Sequence, residues 1–159
     1  MVNSPGAAGC APAQLDAASL EALEAQLLRP FRQKDGPAPY ELKRKLHQIT
    51  ADSLTVIRSE DSRTQALTQL EELERGLDAG SFTDNQPLYN RQWREYLELR
   101  NMLPCARAIT KSALLRRESR GVHIRSDHFQ TDNRNCLYNI VLSGHDLQET
   151  LVPAVLTKL

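Results

Sequence analysis

Apolar residues recur at helical spacing through the first two-thirds of the chain, and the longest such run lies between Tyr89 and Arg117. Within it Trp93, Leu97, Leu99, Met102 and Leu103 precede Pro104, and Ala106, Ile109, Ala113 and Leu114 or Leu115 carry the stripe onward. A helix of about 28 residues would be about 42 Å long at its fixed rise per residue. That is too long to stand alone, so other helices must flank it. Pro104 removes one interior hydrogen bond and predicts a kink near Asn101 to Pro104 rather than a break, because residues 105 to 117 resume the stripe without loop residues.

Three shorter runs supply the neighbours. Leu15, Ala18, Leu20, Leu23, Leu27 and Leu28 form the first, with Asp16 or Ser19 able to cap it and Pro30 ending it. A loop with Gly36, Pro37 and Pro39 follows. Between Tyr40 and Arg58 the apolar face is Leu42, Leu46, Ile49, Leu54 and Val56 or Ile57, with Lys43, Arg44 and Lys45 on a solvated face. Ser59 is placed to cap the next helix, Glu60 and Asp61 complement its dipole, and Leu67, Leu70, Leu73 and Leu77 form its stripe up to Gly80. Short loops between these segments give the arithmetic of an antiparallel bundle. After Gly121 the period changes: Val122 to Arg125 and Leu137 to Leu142 are β-type runs, and Ser143-Gly144-His145-Asp146 is a turn signal before Leu151-Val152. The expected class is all-α, a three-helix bundle over 37–121, preceded by a disordered lead over 1–13 and a short helix with a Pro/Gly loop over 14–36. An extended or hairpin tail over 122–159 would pack on the bundle or on a partner.

Composition narrows the function. With 159 residues, 20 Lys plus Arg and 20 Asp plus Glu, no global field favours nucleic acid or an anionic membrane, and any basic patch must be local. Nowhere do eighteen apolar residues run together, so no direct membrane insertion is expected. Cys10, Cys105 and Cys136 are odd in number and widely spaced, which fits a reducing, cytoplasmic setting rather than a disulfide framework.

The runs Tyr89-Asn90-Arg91-Gln92-Trp93, Leu97 to Leu103 and Ser112-Ala113-Leu114-Leu115-Arg116-Arg117-Glu118-Ser119-Arg120-Gly121-Val122-His123-Ile124-Arg125-Ser126-Asp127 closely resemble a known module. It is the C-terminal helical domain of the succinate dehydrogenase and fumarate reductase flavoprotein family, which includes L-aspartate oxidase. Pro39 to Ile49 resembles the start of that domain and Leu137 to Leu142 its closing segment. The resemblance implies a spectrin-repeat-like three-helix bundle packed against a separate flavin domain. It implies no catalytic residue here and no cofactor bound by this chain alone, with FAD in the assembled flavoprotein; no GxGxxG occurs in the sequence. The implied partners are a flavin-binding domain or subunit and an iron-sulfur subunit of the same complex. Either the chain is an excised domain or it is a separate subunit. The alternative is a stand-alone helical interaction module without catalytic activity. Three departures from the family pattern are Pro104 in a usually continuous helix, Val122 where alanine is common, and Asn133 to Cys136 where a tryptophan is common.

Candidate chemistry gathers at the end of the long helix. Arg116, Ser119, Arg120, Gly121, His123 and Arg125 are the expected docking residues for the flavin domain, Gly121 by permitting positive φ and Arg120 by offering a planar fork to an anion. The competing reading is a helix C-cap, in which Gly121 stops the helix and the arginines complement its negative end. His123 and His128 with Asp127 invite a metal, but a spacing of five fits neither a helical nor an alternate-strand pair, and no metal site is expected. Cys105 and Cys136 are read as inert thiols, and Trp93 and Tyr96 as core or interface residues.

Overall fold

The computed structural model describes residues 16–55 and 57–155. The expected lead over 1–13 and Cys10 lie outside these residues. Four helices follow in order: α1 (Ala17–Leu28), α2 (Pro39–Ser53), α3 (Glu60–Asp78) and α4 (Arg91–Leu115), with a single 3-10 turn (Arg29–Phe31) after α1. Two strand pairs complete the fold. β1 (Ile57–Arg58) pairs in parallel with β2 (Ile124–Arg125), and β3 (Tyr138–Ser143) forms an antiparallel hairpin with β4 (Gln148–Pro153).

The helices begin where capping chemistry directs them. Asp16 accepts the Ser19 amide at 2.6 Å to start α1, and Asn90 accepts the Trp93 amide at 2.8 Å to start α4. Ser59 and Ser62 exchange side-chain and backbone bonds in a reciprocal capping box at α3, whose first turn carries Glu60 and Asp61 as expected.

Helices α2, α3 and α4 form an antiparallel bundle whose core is Leu42 and Leu46 of α2, Leu70, Leu73 and Leu77 of α3, and Tyr96, Leu99, Leu103 and Ala106 of α4. Ser81, just beyond α3, donates its amide to Pro37 just before α2, and its hydroxyl exchanges bonds with Gly36 at 3.0 and 2.9 Å. This stitch brings the end of one helix to the start of the other. A Cβ at Gly36 would lie 1.8 Å from the Ala79 carbonyl oxygen, so glycine is required at the crossing. One end of the core is closed by aromatic rings: Phe31 meets Phe82 and Trp93 edge-on at 4.7 and 5.6 Å, and Phe82 meets Tyr96 at 5.9 Å. The Trp93 indole donates to Leu27 at 3.2 Å, which holds α1 against the bundle.

Several expectations need correction. The helix over Tyr40 to Arg58 stops at Ser53, and Ile57 and Arg58 become β1. The long helix runs unbroken through Pro104 but ends at Leu115. Arg116 is already extended, so Gly121 stops no helix. Along α4 the buried positions are Tyr96, Leu99, Leu103, Ala106, Thr110 and Ala113, a 3-4 spacing that leaves Ile109 on the outer side, 54% exposed. Trp93, Leu97 and Met102 are only partly buried against the core.

The hairpin is fastened to α4 by polar contacts rather than by a core of its own. Lys111 donates to the Leu147 carbonyl at 2.7 Å and pairs with Glu149 at 2.7 Å. Arg116 donates to the carbonyls of Cys136 at 3.2 Å and Tyr138 at 2.8 Å, with its guanidinium 5.2 Å from the Tyr138 ring. Among the described residues no helix is long and apolar enough to cross a membrane.

Candidate functional site: the turn after the long helix

The last carbonyls of a helix have no intrahelical partners and must be satisfied from outside. In α4 a side chain from nine residues beyond the cap does this. The guanidinium of Arg125, fully buried, donates from one terminal nitrogen to the carbonyls of Ala113 at 3.3 Å, Leu114 at 3.1 Å and Arg116 at 3.3 Å. Its other two nitrogens grip Asp127 in a fork, both at 2.6 Å. Asp127 is held well below the usual carboxylate range, first by these bonds. Its second oxygen also accepts the Glu60 amide at 2.9 Å, at the N-terminus of α3.

A second carboxylate organises the loop. Glu118 has no exposed surface. It accepts from Arg116 at 2.9 Å, from Arg120 in a fork at 2.8 and 2.9 Å, and from the Asp132 amide at 2.8 Å. The Arg120 bonds are the main reason its pKa is lowered despite burial, and Glu118 raises that of Arg120 in return. Ser119 is equally occupied, donating to the His128 carbonyl at 2.7 Å and accepting the Arg125 amide at 2.9 Å. Arg120 and His123 exchange backbone bonds at 2.9 and 3.0 Å around Gly121-Val122. Gly121 takes φ +57° there, as the first corner of a tight hairpin turn requires. His123 faces Arg58, with Nδ1 2.7 Å from an Arg58 guanidinium nitrogen and Nε2 3.4 Å from the Arg116 carbonyl. Arg58 has only protons to offer, so Nδ1 accepts and the ring is neutral with its proton on Nε2. Burial, followed by the cations Arg58, Arg63 and Arg125, lowers the imidazole's pKa in agreement with that assignment.

The six expected docking residues therefore lie together, but their side chains mostly face inward. Arg125 is wholly internal and is corrected from a surface contact to a cap. Arg116, Ser119, Arg120 and His123 are half-buried, while the Gly121-Val122 tip is exposed. Apolar groups also face outward: Ile57 and Ile124, direct neighbours across β1 and β2, are 69% and 38% exposed, and Val122 is 80% exposed. Sequence reasoning gave no role to Glu118, Arg63 or Arg58. Their only signal was an unusual density of charge beside β-type residues.

A model of the fumarate reductase flavoprotein C-terminal region matches residues 43–154. The chain belongs to that family. An uncharacterized FAD-dependent oxidoreductase of Methanocaldococcus jannaschii is 37% identical over 105 residues, which are 66% of this chain and 18% of that protein. The succinate dehydrogenase flavoprotein subunit of Coxiella burnetii is 30% identical over 128 residues, 79% of this chain and 22% of the subunit. Among solved structures, a chain of the Mycobacterium smegmatis Sdh1 complex superposes with a TM-score of 0.78 at 28% identity, over 89% of this chain and 25% of the other. A quinol-fumarate reductase chain shares the fold, with a TM-score of 0.79 at 20% identity, over 89% of this chain and 26% of its own length. The chain spans about a fifth of the length of the curated relatives it matches.

The start of α3 does not fit the pyrophosphate of the flavin cofactor that these relatives' names imply. β1 does feed the N-terminus of α3 next to a parallel strand, but that helix opens with Glu60 and Asp61 and is closed by the Ser59 cap. Such a terminus repels a pyrophosphate instead of cradling it. A metal is no better served. Glu60, Asp127 and His128 bring ligand atoms within 4.8 Å of one another, yet both Asp127 oxygens are already held by Arg125 at 2.6 Å.

Proposed function

We propose that the chain is the helical buttress of a flavin-dependent oxidoreductase of the succinate dehydrogenase, fumarate reductase or L-aspartate oxidase type. In this reading FAD is held by a flavin-binding domain or subunit outside the described residues, and hydride transfer between flavin and substrate occurs there. An iron-sulfur subunit completes the assembly on the cytoplasmic side. This chain supplies structure and a docking surface around the turn after α4.

The observation that supports the reading is the family match over residues 43–154 combined with the form of the turn. Arg116 and Arg120 pair with Glu118, Arg125 pairs with Asp127, and the turn presents Ile57, Val122 and Ile124 outward. An apolar edge on a rigid ionic base is suited to burial against another surface. The test is co-expression with the flavin-binding polypeptide of the same source, followed by co-purification and measurement of flavin absorbance in the complex. A stable yellow complex is expected. Purified chain that stays colourless and associates with no flavin-binding polypeptide refutes the reading.

A further inference from the structure

The positions of unpaired charge around the turn select one surface for contact. We propose that the cleft between α4, β3 and the Arg58–His123 contact receives a segment of the flavin-binding polypeptide carrying a carboxylate side chain flanked by apolar ones, with Arg58 as its anchor. The inference rests on the docking reading above and moves the key contact from Arg120 to Arg58.

The cleft is a shallow, open depression of about 530 Å³. Ile109, Ile140 and Leu142 wall it, Arg58, Arg116 and His123 stand at its head, and no Asp or Glu lines it. Ile109 is 54% exposed, although it belongs to the central helix of the bundle. The apolar wall continues beyond the head. Ile57 and Ile124 face outward while their chain neighbours Arg58 and Arg125 face inward, the reverse of the usual alternation for a solvated strand. Val122 extends the same edge. A small free anion would leave this edge uncovered; a polypeptide segment covers both.

Charge complementarity fixes the chemistry at the head. Arg116 and Arg120 share Glu118, and Arg125 has Asp127. Arg58 and Arg63 have no carboxylate within ion-pair distance among the described residues. Arg63 is fully buried, donates only to Ser62 and the carbonyls of Ser53 and Ser59, and leaves its Nε without a partner. Burial first, then the neighbouring Arg58 and Arg125, lowers its pKa to about 10. The region thus holds an excess of cations that nothing in the turn neutralises. Arg58 is the one of the pair that reaches the cleft. Its Nε is used by the Thr55 carbonyl at 2.7 Å and one terminal nitrogen by His123 at 2.7 Å, which orients the remaining nitrogen for an incoming anion. Because His123 is neutral, it adds no competing cation and fixes the fork of Arg58 in place.

The experiment measures affinity between the chain and the flavin-binding polypeptide of its source at low and high salt. Arg58→Gln should weaken association about thirtyfold, as expected for truncating one partner of a desolvated charge pair, and flatten the salt dependence. Arg58→Lys should recover part of the loss. Ile109→Gln changes an exposed side chain and should weaken association without altering the free chain's melting, so it decides the matter if Arg58→Gln misfolds. Wild-type chain that does not associate overturns the docking reading itself. Wild type that associates while Arg58→Gln and Ile109→Gln bind equally well overturns only the cleft assignment. Acetate that saturably shifts the His123 ring resonances of the free chain, with association indifferent to Arg58→Gln, overturns the polypeptide occupant in favour of a free carboxylate.

Discussion

Arg125→Ala tests whether the turn is an internal brace or a contact surface. The substitution removes the donors to the carbonyls of Ala113, Leu114 and Arg116, at 3.1 to 3.3 Å, and the fork on Asp127. The carbonyl bonds are long, and a net value of about 0.5 kcal/mol each is appropriate. The Asp127 side chain is 31% exposed, so once deserted it is partly rehydrated, and its loss stays below the 3–5 kcal/mol typical of a fully buried broken pair. About 3 kcal/mol in total is expected, a large part of the ~5–15 kcal/mol that holds a domain together. At about 3 °C per kcal/mol for a chain of this size the melting temperature should fall by about 9 °C. Arg125→Lys keeps the charge but not the planar fork and should lose about half as much. Thermal and urea unfolding followed by far-ultraviolet circular dichroism measure both. If Arg125→Ala melts within about 1 kcal/mol of wild type while association with the flavin-binding polypeptide collapses, the brace argument is wrong and Arg125 is a contact.

Two further perturbations probe the same logic. Glu118→Gln should cost about 3 kcal/mol at neutral pH, because a fully buried carboxylate that neutralises two arginines becomes neutral. The folded pKa of Glu118 is lowered, so its contribution is complete above the ordinary value of 4.5 and is lost as pH falls through the folded one; the variant should show a flatter acid-unfolding limb below that value. Pro104→Ala, at an exposed position inside α4, should stabilise the chain by about 1 kcal/mol, the restored hydrogen bond offset by a freer unfolded chain. A lower melting temperature would show that the proline is required by the packing around it.

The bundle was legible because its information is local and periodic. Leu42 and Leu46, then Leu70, Leu73 and Leu77, announce their faces by spacing, and Asp16 and Ser59 announce helix starts by capping chemistry. The β3–β4 hairpin was legible for the same reason, through its alternation and its Gly144 turn. What failed depends on contacts distant in sequence. Leu54 to Ile57 reads as more helix because nothing nearby shows that Ile57 pairs with Ile124, 67 residues later. Arginine and glutamate look like surface residues in any pattern, so no period reveals that Arg63, Glu118 and Arg125 are buried. The family motif marked the turn after α4 but not which way its side chains point.

Inward arginines and outward isoleucines follow from where the two-residue β pair sits. It lies where the positive N-terminal end of α3 meets the negative C-terminal end of α4, and both ends need opposite charge. Asp127 meets the first by accepting the Glu60 amide, and Arg125 meets the second by donating to the α4 carbonyls, while the two grip each other. With Arg125 drawn inward, the period of two along a strand forces Ile124 outward, and the parallel register places Ile57 beside it. The apolar edge is therefore a geometric consequence of closing two helix ends with one ion pair. A shift of one residue in that pair would send Arg125 to the surface, uncap α4 and turn Arg58 away from the head of the cleft, so the brace fixes the register of the edge and of Arg58 together.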